Sequence, residues 1–125
     1  MATFSCDVTP PIGSPLAQCN PPVATSVEGP LLAKGVILSD GGNPHVLVAF
    51  DYCELRTGAR DLFSRKIANA LGMNELNVEV HCVHQHDAPS YDINADTVLD
   101  LVPSGGFRWL TALSHPGIRP ARILY

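Results

Sequence analysis

No apolar run in this chain approaches the roughly 20 residues a helix needs to cross a bilayer, so no helical membrane span is expected. The opening Met1-Ala2-Thr3-Phe4-Ser5-Cys6-Asp7 has neither the charged start nor the apolar core of a secretion signal. A cytoplasmic location by default follows, unless a signal lies outside this sequence. Basic residues are also short: 8 Lys and Arg against 12 Asp and Glu give a net charge of -4. With no basic patch interleaved by aromatics, no nucleic-acid partner is expected. Among Cys6, Cys19, Cys53 and Cys82 there is no C-x-x-C, so they do not form a metal knuckle. Cys53 and Cys82 lie in or beside apolar strand patterns and read as small buried thiols, with a disulfide pair left open.

At 125 residues the chain is one domain or a piece of one. Charge is uneven along it. Residues 1–100 hold all 12 acids and all but three of the 8 bases, a balance of -7, whereas residues 101–125 hold three arginines and no acid. That last stretch shows no clear period and is expected to be an irregular tail, not native to the domain that residues 1–100 begin. A closing strand is the other reading of it.

Residues 4–8 can form a short strand with Phe4, Cys6 and Val8 on one face. Residues 9–30 follow, rich in Pro, Ser, Ala and Asn. They read either as a linker or as ordered turns flanking a site. Residues 31–39 form a strand, Asp40-Gly41-Gly42-Asn43-Pro44 a turn, and residues 45–51 a second strand, together a hairpin. The second strand is apolar on both faces, as for a central strand covered on both sides.

A helix is predicted over Thr57–Leu71. Thr57 caps its first turn, Asp61 complements the dipole, and Gly72 takes the left-handed position after its end. Leu62, Phe63, Ile67, Ala70 and Leu71 supply the apolar stripe. Strand 45–51, helix 57–71 and strand 77–83 then make a βαβ unit with parallel strands. The fold class is α/β, a mixed sheet forming a truncated part of a larger domain. A further helix is expected from Asn94.

The parallel arrangement carries chemistry, because ligands of open α/β sheets bind where strands end at their carboxyl edge. Along residues 78–86, side-chain alternation puts Val78, Val80 and Cys82 on one face. The same parity continues into His84 and His86, about 7 Å apart by strand rise. Two imidazoles emerging together suit a metal ion. The same-face set Cys82, His84 and His86 is one candidate for the three protein ligands of a catalytic zinc. Asp51 closes the neighbouring strand at the same edge, where a carboxylate would orient a ligating histidine. His81 faces the other side, and neither His45 nor His115 has a partner that can be named.

Four pieces in order resemble the N-terminal part of the neutral/alkaline non-lysosomal ceramidase family and its bacterial relatives. They are Cys6-Asp7-Val8-Thr9-Pro10-Pro11-Ile12-Gly13-Ser14-Pro15-Leu16, then Leu32-Ala33-Lys34-Gly35-Val36-Ile37-Leu38 with Asp40-Gly41-Gly42, then Val48-Ala49-Phe50-Asp51, then Val83-His84-Gln85-His86-Asp87-Ala88-Pro89. The resemblance implies a zinc-dependent amidohydrolase cleaving an N-acyl amide or lipid substrate with metal-activated water. Family members are often secreted. By the same resemblance, His84 is a metal ligand and His86 the catalytic residue beside the ion. It also implies later ligands, a histidine, a glutamate and a tyrosine, which nothing after Asp92 matches. Asp87 and Ala88 replace the family's Ser-Gly, and Lys34 its arginine, so the substrate need not be ceramide. The chain by itself is expected to be inactive. From another class, the alternative is a small non-catalytic α/β protein that binds a ligand or partner.

Overall fold

The computed structural model describes residues 1–17 and 23–94. Six strands and one long helix follow in chain order: β1 Ala2–Asp7, β2 Leu32–Leu38, β3 His45–Phe50, β4 Glu54–Leu55, α1 Thr57–Leu71, β5 Val78–Cys82 and β6 Ser90–Tyr91. A single 3-10 turn at Glu75–Asn77 leads into β5. The main sheet runs β1-β2-β3-β5, and β4 pairs with β6 in a short second ladder. The fold is α/β with a mixed sheet: β1 to β2 and β2 to β3 are antiparallel, while β3 to β5 is parallel. The hairpin and the βαβ unit are therefore both present. The tail and the helix expected from Asn94 lie, beyond that residue, outside the described residues. Among the described residues no helix is long and apolar enough to cross a membrane.

The core follows strand alternation. Val46, Val48 and Phe50 of β3 and Val78 and Val80 of β5 are buried, with exposed His45, Leu47, Glu79 and His81 between them. Ala59 and Ala68 of α1 belong to the same buried cluster, and Phe63 and Ile67 pack against it. Each fully buried valine adds about 1.5–3 kcal/mol of transfer free energy. The sequence suggested that β3 is covered on both sides. Instead Leu47 is 44 % exposed, and among the described residues only the face toward α1 is covered.

Three details of α1 differ from expectation. Its cap position is Arg56, with no side-chain hydrogen bond, so Thr57 is the first helical residue rather than the cap. Asp61 lies past the first turn, which holds no acid, and the N-terminal dipole fades within one turn. The apolar stripe also ends early, since Ala70 and Leu71 are exposed. Gly72 does take the left-handed conformation, at φ 64°, and its backbone N–H closes onto Ala68 and Asn69 carbonyls. The strand predicted over residues 4–8 forms two residues earlier, at Ala2–Asp7, because β2 offers partners as far as Ile37.

Gly35 is fixed by a ring. Phe4 sits opposite it across the β1–β2 pair, and a Cβ at Gly35 would clash with the Phe4 ring. An aromatic side chain over a cross-strand glycine fills the space its missing side chain leaves. Beyond the sheet, Phe50, Tyr52, Phe63 and Tyr91 form an aromatic cluster, with Tyr52 and Tyr91 stacked at 6.0 Å and Phe50 against Phe63 at 4.7 Å. The Tyr52 hydroxyl donates to the Val8 carbonyl at 2.7 Å, tying the exit of β1 to this cluster. Burial pushes the Tyr52 phenol well above its ordinary range.

Residues 9–31 are an ordered loop where described. Pro15 and Val23 form an antiparallel bridge, and Gly13 N–H donates to Ala24 O at 2.7 Å. Ala17 N–H reaches Ala88 O at 2.8 Å, so this loop is pinned to the segment that follows the histidines.

Candidate functional site

The carboxyl ends of β3 and β5 run on together as an arch. Where β5 ends, Val83 N–H donates to Phe50 O and His84 N–H to Tyr52 O, both at 3.1 Å. On the far side of the arch, Cys53 N–H donates to Pro89 O at 3.0 Å and Arg56 N–H to Tyr91 O at 2.9 Å. Residues 84–89 thus leave and return to one stretch, residues 50–56, and the β4–β6 ladder closes the base. Pro89 fits because its carbonyl carries the bond and no N–H is needed there.

His84 is the hinge of the arch. Its φ is 63°, left-handed for a residue that is not glycine. Such a conformation costs on the order of 1–3 kcal/mol and persists where surrounding structure imposes it. Here two consecutive carbonyls impose it: Tyr52 O takes the His84 backbone N–H, and Cys53 O lies 2.9 Å from His84 Nδ1. A carbonyl oxygen only accepts, so Nδ1 carries the proton and the lone pair available to a metal is on Nε2.

Asp51, expected to orient a histidine, stands at the same edge but is engaged elsewhere. Its Oδ2 accepts from Leu32 N–H at 3.0 Å, and its own N–H donates to Leu32 O at 2.9 Å, extending the β2–β3 pairing by one rung. The group facing His84 Nδ1 is the Cys53 carbonyl, two residues further on. Asp51 still touches the arch through its carbonyl, which accepts from Gln85 Nε2 at 2.9 Å. Gln85 Oε1 in turn accepts from Asp87 N–H at 3.1 Å, bracing the bend from inside.

The two imidazoles converge, with His84 and His86 ring centroids 5.3 Å apart and nearly perpendicular, at 77°. Convergence comes from the left-handed bend rather than from continued strand alternation, since β5 stops at Cys82. The third group within reach that could hold a metal is Cys53. One ligand atom from each of Cys53, His84 and His86 lies within 4.8 Å of the others. Cys82 is in contact nearby, its thiol 3.5 Å from the Cys53 carbonyl, but is not in this set. Cys53 escaped the sequence reading because it looked like a core thiol, and it is indeed fully buried. The edge argument applied to Asp51 extends two residues to Cys53 and would have found it.

The donor chemistry fits a transition metal. Tetrahedral zinc, with bonds of about 2.0–2.3 Å, needs donors roughly 3.3–3.8 Å apart. The triad's ligand atoms, within 4.8 Å of one another, stand up to about 1 Å wider than that. The thiol is enclosed while both imidazoles are exposed, so a fourth position opens to solvent. Comparison with protein-family models, curated proteins and solved structures finds no match to this chain.

Proposed function

We propose that this chain carries the zinc centre of an amidohydrolase that cleaves N-acyl amides, as its likeness to the ceramidase family implies. The observation that supports it most is the approach of Cys53, His84 and His86 around one point, with His84 held in a single tautomer. A thiolate with two imidazoles selects zinc over magnesium or calcium, which prefer oxygen donors. Three protein donors and one open position are the usual make-up of a catalytic zinc. The chemistry zinc supplies in such a setting is acidification of a bound water and polarisation of an amide carbonyl.

The protein's own residues supply the rest. The Cys53 carbonyl holds the His84 ring in orientation and tautomer, a second contact of the kind that typically tunes metal affinity 10–100-fold, roughly, when lost. Cys53 would offer its sulfur to the metal from a fully buried position. His86, exposed at the mouth, is taken as a donor alongside His84 and Cys53; the family likeness would place it against the substrate instead. Asp51 sets the arch through Leu32 and Gln85.

Zinc content of the purified chain, with turnover of a panel of fluorogenic N-acyl amides before and after chelation, tests this reading. One zinc per chain and chelator-sensitive turnover are expected, the Cys53 thiol standing in for the later ligands whose lack made the sequence read as an inactive chain. A chain that takes up zinc yet leaves every amide uncut loses the amidohydrolase assignment; one that takes up none loses the metal centre as well.

A further inference from the structure

Beside the arch lies a cleft of about 390 Å³, within the range of small-molecule sites. One wall is Gln85 and Asp87, the residues flanking His86, and the other comes from the described parts of the loop, residues 9–16 and 23–31. Its apolar surface comes from Leu16, Val23, Val27 and Leu31. Val23 and Val27 are 43 % and 51 % exposed, apolar area left open to solvent. Among the described residues, the charged members of its lining are Glu28 and Asp87, with no lysine, arginine or histidine beside them. Neither acid has an ion-pair partner among the described residues. Asp87 is set in place by the Gln85 brace on its backbone N–H.

An apolar surface with two unneutralised carboxylates favours an organic cation and disfavours an anion. We propose that this cleft binds the amine-bearing half of the ligand, a primary ammonium on an apolar body. The orientation rests on the amide-hydrolysis reading above. In that reaction the amide C–N bond breaks, the water oxygen bonds to the carbonyl carbon, and the nitrogen gains a proton. At neutral pH the acid product then gives up its proton and the amine takes one, so the products are a carboxylate and an ammonium. Glu28 and Asp87 attract the second and repel the first. The acyl half therefore lies away from this cleft, on the other side of His86.

Titration of the full metal-free chain with hexylammonium, hexanol and hexanoate, followed by amide chemical shifts, tests the inference. Hexylammonium is expected to bind tightest and hexanoate weakest, with shifts at Val23, Val27 and Leu31. Added salt should weaken the ammonium alone. The double substitution Glu28→Gln with Asp87→Asn should lower hexylammonium affinity about three- to tenfold and bring it level with hexanol. Equal binding of hexanoate, or no response to the double substitution, overturns the proposal. Because no metal is used, selective amine binding in a chain that takes up no zinc upholds the cleft and removes only the hydrolytic reading. Zinc uptake without amine selectivity does the reverse.

Discussion

The His84 imidazole is locked to the Cys53 backbone, Nδ1 to carbonyl oxygen, at 2.9 Å. That contact sets the tautomer of the ring, and through the same residue the chain offers a buried thiol to the same point. Removing the ring should therefore abolish metal binding rather than adjust it. His84→Ala is expected to weaken zinc by more than the roughly 100-fold typical of losing an orienting partner, measured by competition with a chromophoric chelator. Unchanged affinity would remove His84 from the ligand set.

His86→Ala separates the two roles open to that side chain. As third donor, its loss should weaken zinc strongly. Zinc retained at full affinity while amide turnover falls would instead place His86 against the substrate, as the family likeness implies.

Gly35→Ala drives a methyl into the Phe4 ring. Overpacking of this kind costs about 1–3 kcal/mol. Phe4 lies on edge strand β1 and is half-buried, so its ring can swing outward at the expense of its own packing. The cost of Gly35→Ala should therefore shrink in a Phe4→Ala background. Denaturant melts of the two single variants and the double variant measure this coupling, and strict additivity would contradict the contact.

Tyr52 gives an alkaline signature. Burial holds its phenol above the ordinary 10.0, so the folded state keeps the proton more tightly than the unfolded state. The stability of the neutral, bonded phenol is complete below about pH 10 and is lost as pH rises from there. Tyr52→Phe leaves the Val8 carbonyl without its partner and should cost about 1–2 kcal/mol at neutral pH. Its stability should also fall less steeply above pH 10 than that of the parent chain. Thermal melts from pH 7 to pH 11 decide this, and parallel curves would contradict it.

Much of the sheet could be read from residue order. Alternation in β3 and β5, turn residues between β2 and β3, and a helix between two strands are local signals with one consistent answer. The placement of His84 and His86 on one side was legible too, though for an incomplete reason. Strand parity carries only to Cys82; beyond it a left-handed residue does the turning, and nothing local in a histidine announces positive φ. Cys53 was hidden because burial and ligation look alike in sequence, both placing a thiol in apolar company. The Asp51 carboxylate was plausible by position, but a backbone N–H one strand away had the better claim. Such competition between neighbours is settled by register, which a single strand's sequence does not contain.

Cobalt(II) substitution bears most directly on the proposed metal centre, because a cobalt–thiolate bond has its own near-ultraviolet charge-transfer band. One cobalt per chain is expected, with that band lost in Cys53→Ser and kept in Cys82→Ser. A chain that binds no cobalt, or one whose band survives the loss of Cys53, would contradict the centre described here.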